Sequence, residues 1–267
     1  MNIDRLKTYS NIFWYYRRLH FMLMFEYRAD FIFWSFISIM WTFFNFFFYL
    51  IIANANNGIA GWSVAQIYVL LAVYTMLDAL TWSIFYPNMR RYTELIFTGE
   101  LSGFLLKPID TQFLLMTNRN GFSELFRLLI GVVMLVHGLQ LTHAVITPLS
   151  AVIFLILFTT AALFVYHLWF FLATLAFWVE RLQNINDVVP NLRAFWDVPR
   201  SVYTGVLSTL FTIIVPFGLV TSLPSEVLLG KGDVGIKLYF IAFTVLFMAF
   251  TRWFFHASLR RYQGTGG

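Results

Sequence analysis

Few side chains in this sequence could do chemistry, and most of those few stand among apolar neighbours. Asp78 lies in the run VLLAVYTMLDALTWSIF and His167 in ALFVYHLWFFLA. A carboxylate and an imidazole so placed could relay protons. They could equally be structural: Asp78 as acceptor for Thr81 or Trp82, His167 as a hydrogen-bonded packing residue. Glu124 with Arg127, and Glu180 with Arg181, sit at the ends of apolar runs, where snorkelling and local ion pairing explain them. LLGKGD at 228–233 lacks the first glycine and the hydroxyl residue of a phosphate-binding loop. The sequence has no HExxH, no G-x-S-x-G, no His-rich metal pattern and no carboxylate pair suited to hydrolysis, and it has no cysteine. Nothing supports an enzyme, so any work the chain does must draw on an ion gradient or on another polypeptide.

The elements that hold these residues follow from composition. The chain has 267 residues, 60% hydrophobic, 20% aromatic and 12% charged, where a soluble domain has about 25% charged residues. Mean hydropathy is +0.73. Apolar runs suggest six spans, at about 31–53, 64–86, 125–146, 149–178, 203–223 and 237–256. SVAQ at 63–66 reads as a capping box opening the second. Thr147-Pro148 separates the third from the fourth. A carboxylate inside a span costs roughly 2.5–3.5 kcal/mol, which turns Asp78 towards the bundle or a water-filled cavity.

Six spans put both termini on one side. Sixteen of the eighteen Lys and Arg then fall with the termini, and only Lys231 and Lys237 fall opposite. The positive-inside rule places the termini in the cytoplasm, and it accounts for the net charge of +5 without nucleic acid. Arg5, Lys7, Arg17, Arg18 and Arg28 crowd the first 30 residues without a compact apolar core, so no secretory signal is expected. Outer connections are short. The connections from Pro87 to Glu124 and from Val179 to Val202 are expected on the cytoplasmic side, where loops of such length carry function.

Two segments interrupt the apolar runs. Residues 1–30 mix Phe13, Trp14, Tyr16, Leu19 and Phe21 with arginines, which suits a helix lying in the headgroup layer and touching a cytoplasmic partner or serving as an anchor alone. FTGELSGFLLKPIDTQF at 97–113 suggests a helix of about ten residues over 98–108, capped by Thr98, with Glu100 in its first turn and ended by Pro108. It is too short to span. Gly99 and Gly103 share a face that another surface could approach closely. The arrangement suits a docking element, or a helix that merely covers the end of the bundle.

Several segments together resemble the type-2 class of ATP-binding-cassette (ABC) transporter permeases, the six-span subfamily that includes viologen-type exporters. EYRADF at 26–31 is similar to that family's lead into its first span. GELSGFLLKPIDTQF resembles the stretch after the second span, with Ser102 where an aspartate is common. FWDVPRSVY at 195–203 and IVPFGLVTSLPSEVLLG at 214–230 resemble the approach to the fifth span and its proline-broken outer end. The resemblance implies an all-α polytopic protein: an interfacial helix over 1–30, a six-helix permease domain over 31–256 with a broken outer segment at about 214–236, and a cytoplasmic tail over 257–267.

The resemblance further implies an exporter subunit in a bacterial inner membrane. It would pair with a second permease, identical or related, and with two copies of a separate ATPase that binds ATP and Mg, while no cofactor binds this chain directly. The coupling helix would present Gly99, Glu100, Leu101, Gly103, Leu105, Lys107 and Pro108. Asn45, Asp78 and Pro216 would line the pathway, and Pro224 and Glu226 the outer gate. The alternatives are a self-contained proton-coupled carrier using Asp78 and His167, and a membrane scaffold that transports nothing.

Overall fold

The computed structural model describes residues 3–179 and 185–262, and these form helices joined by turns. Helix α1 (Ile3–Glu26) kinks at Tyr27 into α2 (Arg28–Ala55), and a tight turn leads to α3 (Val64–Phe97). Two short helices follow, α4 (Ser102–Leu105) and α5 (Thr111–Thr117), then α6 (Phe122–Leu141), α7 (Pro148–Phe177) and α8 (Ile185–Leu192). The chain ends with α9 (Gly205–Ile214), α10 (Leu219–Leu228) and α11 (Val234–Leu259). Five helices are long and apolar enough to cross a membrane, and six crossings result if the pair α9–α10, bent by 85°, counts as one. The Ser63–Gln66 capping box forms at the start of α3 as SVAQ predicts.

Between helices in lipid, association rests on close packing rather than on a hydrophobic drive. Helix α3 is the hub, packed mainly on α6, while α7 carries α10 and α11. Gly131 and Gly138 allow the α3–α6 approach. A Cβ on Gly131 would fall 3.1 Å from the Met76 backbone nitrogen, and one on Gly138 3.3 Å from that of Val69.

The expected second span, 64–86, was bounded by Pro87, yet α3 runs through that proline to Phe97. Proline has no N–H for the carbonyl four residues back, which is Ser83. The helix widens there into a π-turn over Thr81–Phe85, and Gly121 supplies the missing donor with an N–H to Ser83 O bond of 2.7 Å. Asn88 fastens the same loop, donating to the Arg119 carbonyl at 3.0 Å and accepting from the Arg119 N–H at 2.8 Å. With 34 residues α3 is about 51 Å long, longer than the ~30 Å of bilayer hydrocarbon. Its last turns therefore project beyond the lipid.

A second correction concerns the connection expected on the cytoplasmic side from Val179 to Val202, of which Val179 and residues 185–202 are described. Their contacts climb the bundle. Asn186 donates to Thr93 near the end of α3 at 2.8 Å, and Arg193 to Asp78 at its middle at 3.0 Å. Asp197 accepts from Tyr49 at 2.6 Å, and Ser201 donates to Ala60, in the turn at the far end, at 2.7 Å. The segment thus crosses the bundle as the short helix α8 followed by tight turns. Arg200, counted with the termini in the sequence reading, lies at the opposite end. Irregular backbone at such depth must be satisfied by protein. Thr221 donates to the Trp196 carbonyl, Ser222 accepts from the Arg200 N–H at 2.9 Å, and Tyr203 donates to the Phe195 carbonyl at 3.0 Å. The fifth span, expected over 203–223, breaks at Val215–Gly218, around Pro216, where the resemblance implied a proline-broken outer segment.

A β-branched side chain at Gly121 tests the loop that supports the π-turn, because a Cβ there already comes within 3.3 Å of the Trp82 carbonyl oxygen. Gly121→Val is expected to destabilise the detergent-solubilised protein by about 1–3 kcal/mol. Gly103→Ala, whose Cβ meets no atom within 4 Å, should leave the melting temperature unchanged.

Candidate functional site

The interruption after the second long helix is more compact than the predicted 98–108 helix. Thr98 does not cap a new helix. It closes α3, its N–H bonded to the Glu94 carbonyl at 2.9 Å. Gly99 follows at φ 72°, a left-handed position that favours glycine at a helix end, and its N–H bonds the Ile96 carbonyl at 3.3 Å. Gly99 is thus buried in a helix stop and offers no open face. Only Ser102–Leu105 is helical. Leu101 is fully buried and Leu105 half-buried, anchoring α4 to the bundle, while Gly103, Leu106, Lys107 and Pro108 are exposed, Leu106 by 85%. Lys107 lies over the Phe104 ring at 4.7 Å. Glu100 precedes α4 and pairs with Arg91 at 3.0 Å.

This shelf is braced from three sides. Tyr262, just past α11, donates through its hydroxyl to the Gly99 carbonyl and accepts from the Ser102 N–H at 3.2 Å, with the Ser102 hydroxyl also at 3.2 Å. Ser102 therefore serves as a polar partner for Tyr262. Arg252 of α11 bonds Asp110, the N-cap of α5, at 2.6 Å. From α1, Tyr9 accepts from the Asp110 N–H at 3.1 Å, Arg17 donates to the Thr117 carbonyl at 3.1 Å, and His20 meets the Asn118 carbonyl at 2.7 Å.

Burial raises the Asp110 pKa, but the Arg252 and Phe113 N–H bonds outweigh it and hold the carboxyl below its ordinary value. Because the folded pKa is depressed, this tie contributes fully above about pH 4 and is lost only as acidification passes the folded value. Burial lowers the His20 imidazole below its ordinary value, and it lowers the Arg17 guanidinium to about 10.

In the interior, Asp78 is neither free nor bonded to Thr81 or Trp82. Arg127 of α6 reaches it at 2.7 Å and Arg193 of the crossing segment at 3.0 Å. Glu124 binds Arg127 at 3.3 Å and accepts from Ser38 of α2 at 2.8 Å. Two carboxylates and two guanidiniums thus balance. His167 meets Thr251 of α11 at 2.7 Å instead.

Asn45 donates to the Trp41 carbonyl at 3.0 Å and, beside Arg127, lines a hollow of about 10 Å³. That is barely room for one water. Pro216 is buried at the α9–α10 break and does not line that hollow. At the far end, Pro224 and Glu226 are buried in α10. Glu226 pairs with Arg200 at 2.7 Å, and Lys231 nearby bonds Gln66 at 2.8 Å.

Sequence reading missed Arg193 and Arg200, because Pro190 and Pro199 make their segment read as loop, and it assigned Arg127 to Glu124 alone. The available signal was the charge rule itself: a buried aspartate in an apolar bundle requires a cation. Tyr262 carried no signal. The Glu180–Arg181 pair lies outside the described residues.

Breaking one member of a buried ionic set leaves the others uncompensated. Asp78→Ala is therefore expected to cost about 3–5 kcal/mol, read as a large fall in melting temperature or a loss of folded yield. Glu100→Ala removes only an exposed pair and should cost under ~1 kcal/mol.

The sequence model of the ABC-2 family transporter proteins matches residues 39–266, from the middle of α2 beyond the end of α11. No curated protein and no solved structure matches the chain significantly. The match spans the bundle, the ionic set and the shelf, and the chain belongs to the ABC-2 family of transporter proteins, as a multi-pass permease of the ABC type.

Proposed function

We propose that this permease is the membrane-spanning subunit of an exporter, driven by two copies of a separate ATPase seated on the shelf at Leu101–Pro108, with ATP and Mg held by that partner. The carrying observation is the exposed rim Gly103, Leu106, Lys107 and Pro108 at the tip of a helix longer than the bilayer, locked to α11 by Tyr262 and to α1 through Asp110. Such a tip can receive a push without sliding against its own bundle.

A second permease, identical or related, fits the same reading. The interior hollow beside Asn45 is too small to conduct a solute, and the α2 face with Phe36, Phe44 and Phe47 stands uncovered together with Val206 and Leu207 of α9. A pathway would then run between two permeases, with Asn45 and Pro216 beside it and Glu226 near its outer end. The bias of basic residues supports cytoplasmic termini in a bacterial plasma membrane. A proton-coupled carrier draws less support, since guanidiniums hold both oxygens of Asp78.

The test is co-purification with the ATPase. Leu106→Asp combined with Lys107→Glu should reduce its association by about tenfold or more, as losses at an interface centre do, and leave the melting temperature of the permease unchanged. Full retention of the ATPase by this double variant would overturn the docking assignment.

A further inference from the structure

A side cleft of about 630 Å³ opens between α2, the π-turn of α3, the start of α6 and Arg193. Its walls are Trp34 and Trp41 of α2 and Trp82 and Tyr86 of α3, with Arg90, Arg127, Arg193 and Glu124 at its polar points. Asp78, Trp82, Tyr86 and Arg90 recur every four residues. In a regular helix that spacing drifts by about 40° per step, and the wider π-turn absorbs part of the drift. The result is a stripe about 18 Å long, with a closed ionic set at one end, aromatic rings between, and a lone guanidinium at the other.

Charge accounting decides what such a stripe attracts. Asp78 is held by Arg127 and Arg193, and Glu124 by Arg127 and Ser38, so neither acid is left to bind a cation. Arg193 already lies over the Trp82 ring at 5.3 Å. Arg90 has no ion pair or hydrogen bond among the described residues. Glu94 beside it is engaged by Arg91, and Asp187, which lines the adjacent hollow, does not reach it. Arg127, with a side chain only 6% exposed, also keeps an unpartnered Nε. Asp197, buried nearby and bonded by Tyr49, does not line the cleft, so at the walls three arginines face the single carboxylate Glu124 and the surplus there is positive, while the volume is that of a small-molecule site.

We propose that this cleft binds an amphipathic anion, its apolar body against Trp34, Trp41 and Trp82 and its head on Arg90. An anionic phospholipid and an acidic amphipathic cargo offer the same chemistry. The proposal does not depend on the docking of an ATPase, because binding is measured on the permease alone.

The test uses the full chain in phosphatidylcholine nanodiscs and follows tryptophan quenching by phosphatidylglycerol with brominated acyl chains, against brominated phosphatidylcholine. Saturable quenching should favour phosphatidylglycerol by about five- to tenfold, the value of one guanidinium–headgroup contact. Arg90→Gln should abolish that preference without changing the melting temperature, and Trp82→Phe should reduce the quenching amplitude while the preference persists. Equal quenching by the two lipids, or a preference that survives Arg90→Gln, would overturn the proposal. With the ATPase added in vesicles, ATP-dependent movement of fluorescent phosphatidylglycerol between leaflets marks the anion as cargo. Saturable binding without movement marks it as a resident lipid, and either result keeps the site.

Discussion

Everything in the interior depends on keeping one carboxylate charged where water is scarce. Asp78 alone would be expensive at that depth. Its two guanidiniums come from different parts of the chain, Arg127 from α6 and Arg193 from the crossing segment, and Glu124 links the set to α2 through Ser38. Four segments are thereby fixed around one point. Replacing such a set by well-packed apolar residues is often neutral or stabilising, so its contribution is better seen as register than as net stability. The arrangement of α2, α3, α6 and residues 185–203 brings all four charges together.

The same demand for satisfied polar groups shapes the other half. A segment that crosses the bundle as broken turns leaves carbonyls and amides unpaired, and lipid offers them nothing. Helix α10 meets this need with Thr221 and Ser222, both fully buried, which lie where a lipid-facing helix would carry leucines. The hydroxyl-rich stretch LVTSLPSEVL is thus complementary to an irregular neighbour, and Glu226 ends the match by taking Arg200.

Length and hydropathy made the helical class, five of the crossings and the interruption after the second span legible in advance, since each rests on a local pattern. The errors share a physical cause. Pro87 and Pro190 stop helices in isolation, but within the protein a π-turn with a donor from Gly121 carries the chain past the first, and the second sits inside the short helix α8. Thr98 and Gly99 illustrate the converse: a capping residue and a glycine can end one helix as readily as begin another, and only the Leu101 anchor and the Tyr262 bonds decide between them. Asp78 was recognisable as a residue requiring explanation. Its partners were not, because hydropathy places arginines in loops.

The position of the π-turn bears on how force at the shelf would travel. Above it, α3 is tied to α6 and the crossing segment through Asp78, and each of those contacts is a buried charge pair. Below it, the turns from Tyr86 to Phe97 are tied to the 119–121 loop by Asn88, to α8 by Thr93 with Asn186 and to α7 by Tyr92 with Thr174, with Met89, Tyr92 and Leu95 buried in the core. Parting a buried ion pair costs about 3–5 kcal/mol, whereas a backbone hydrogen bond contributes about 1. A force at the tip would therefore reach α7 and α8 as well as the π-turn, where Pro87 has removed one helical bond and Gly121 supplies a substitute. The cleft lined by Trp82, Tyr86 and Arg90 straddles that turn, between the part of α3 tied to α6 through Asp78 and the part that leads to the shelf.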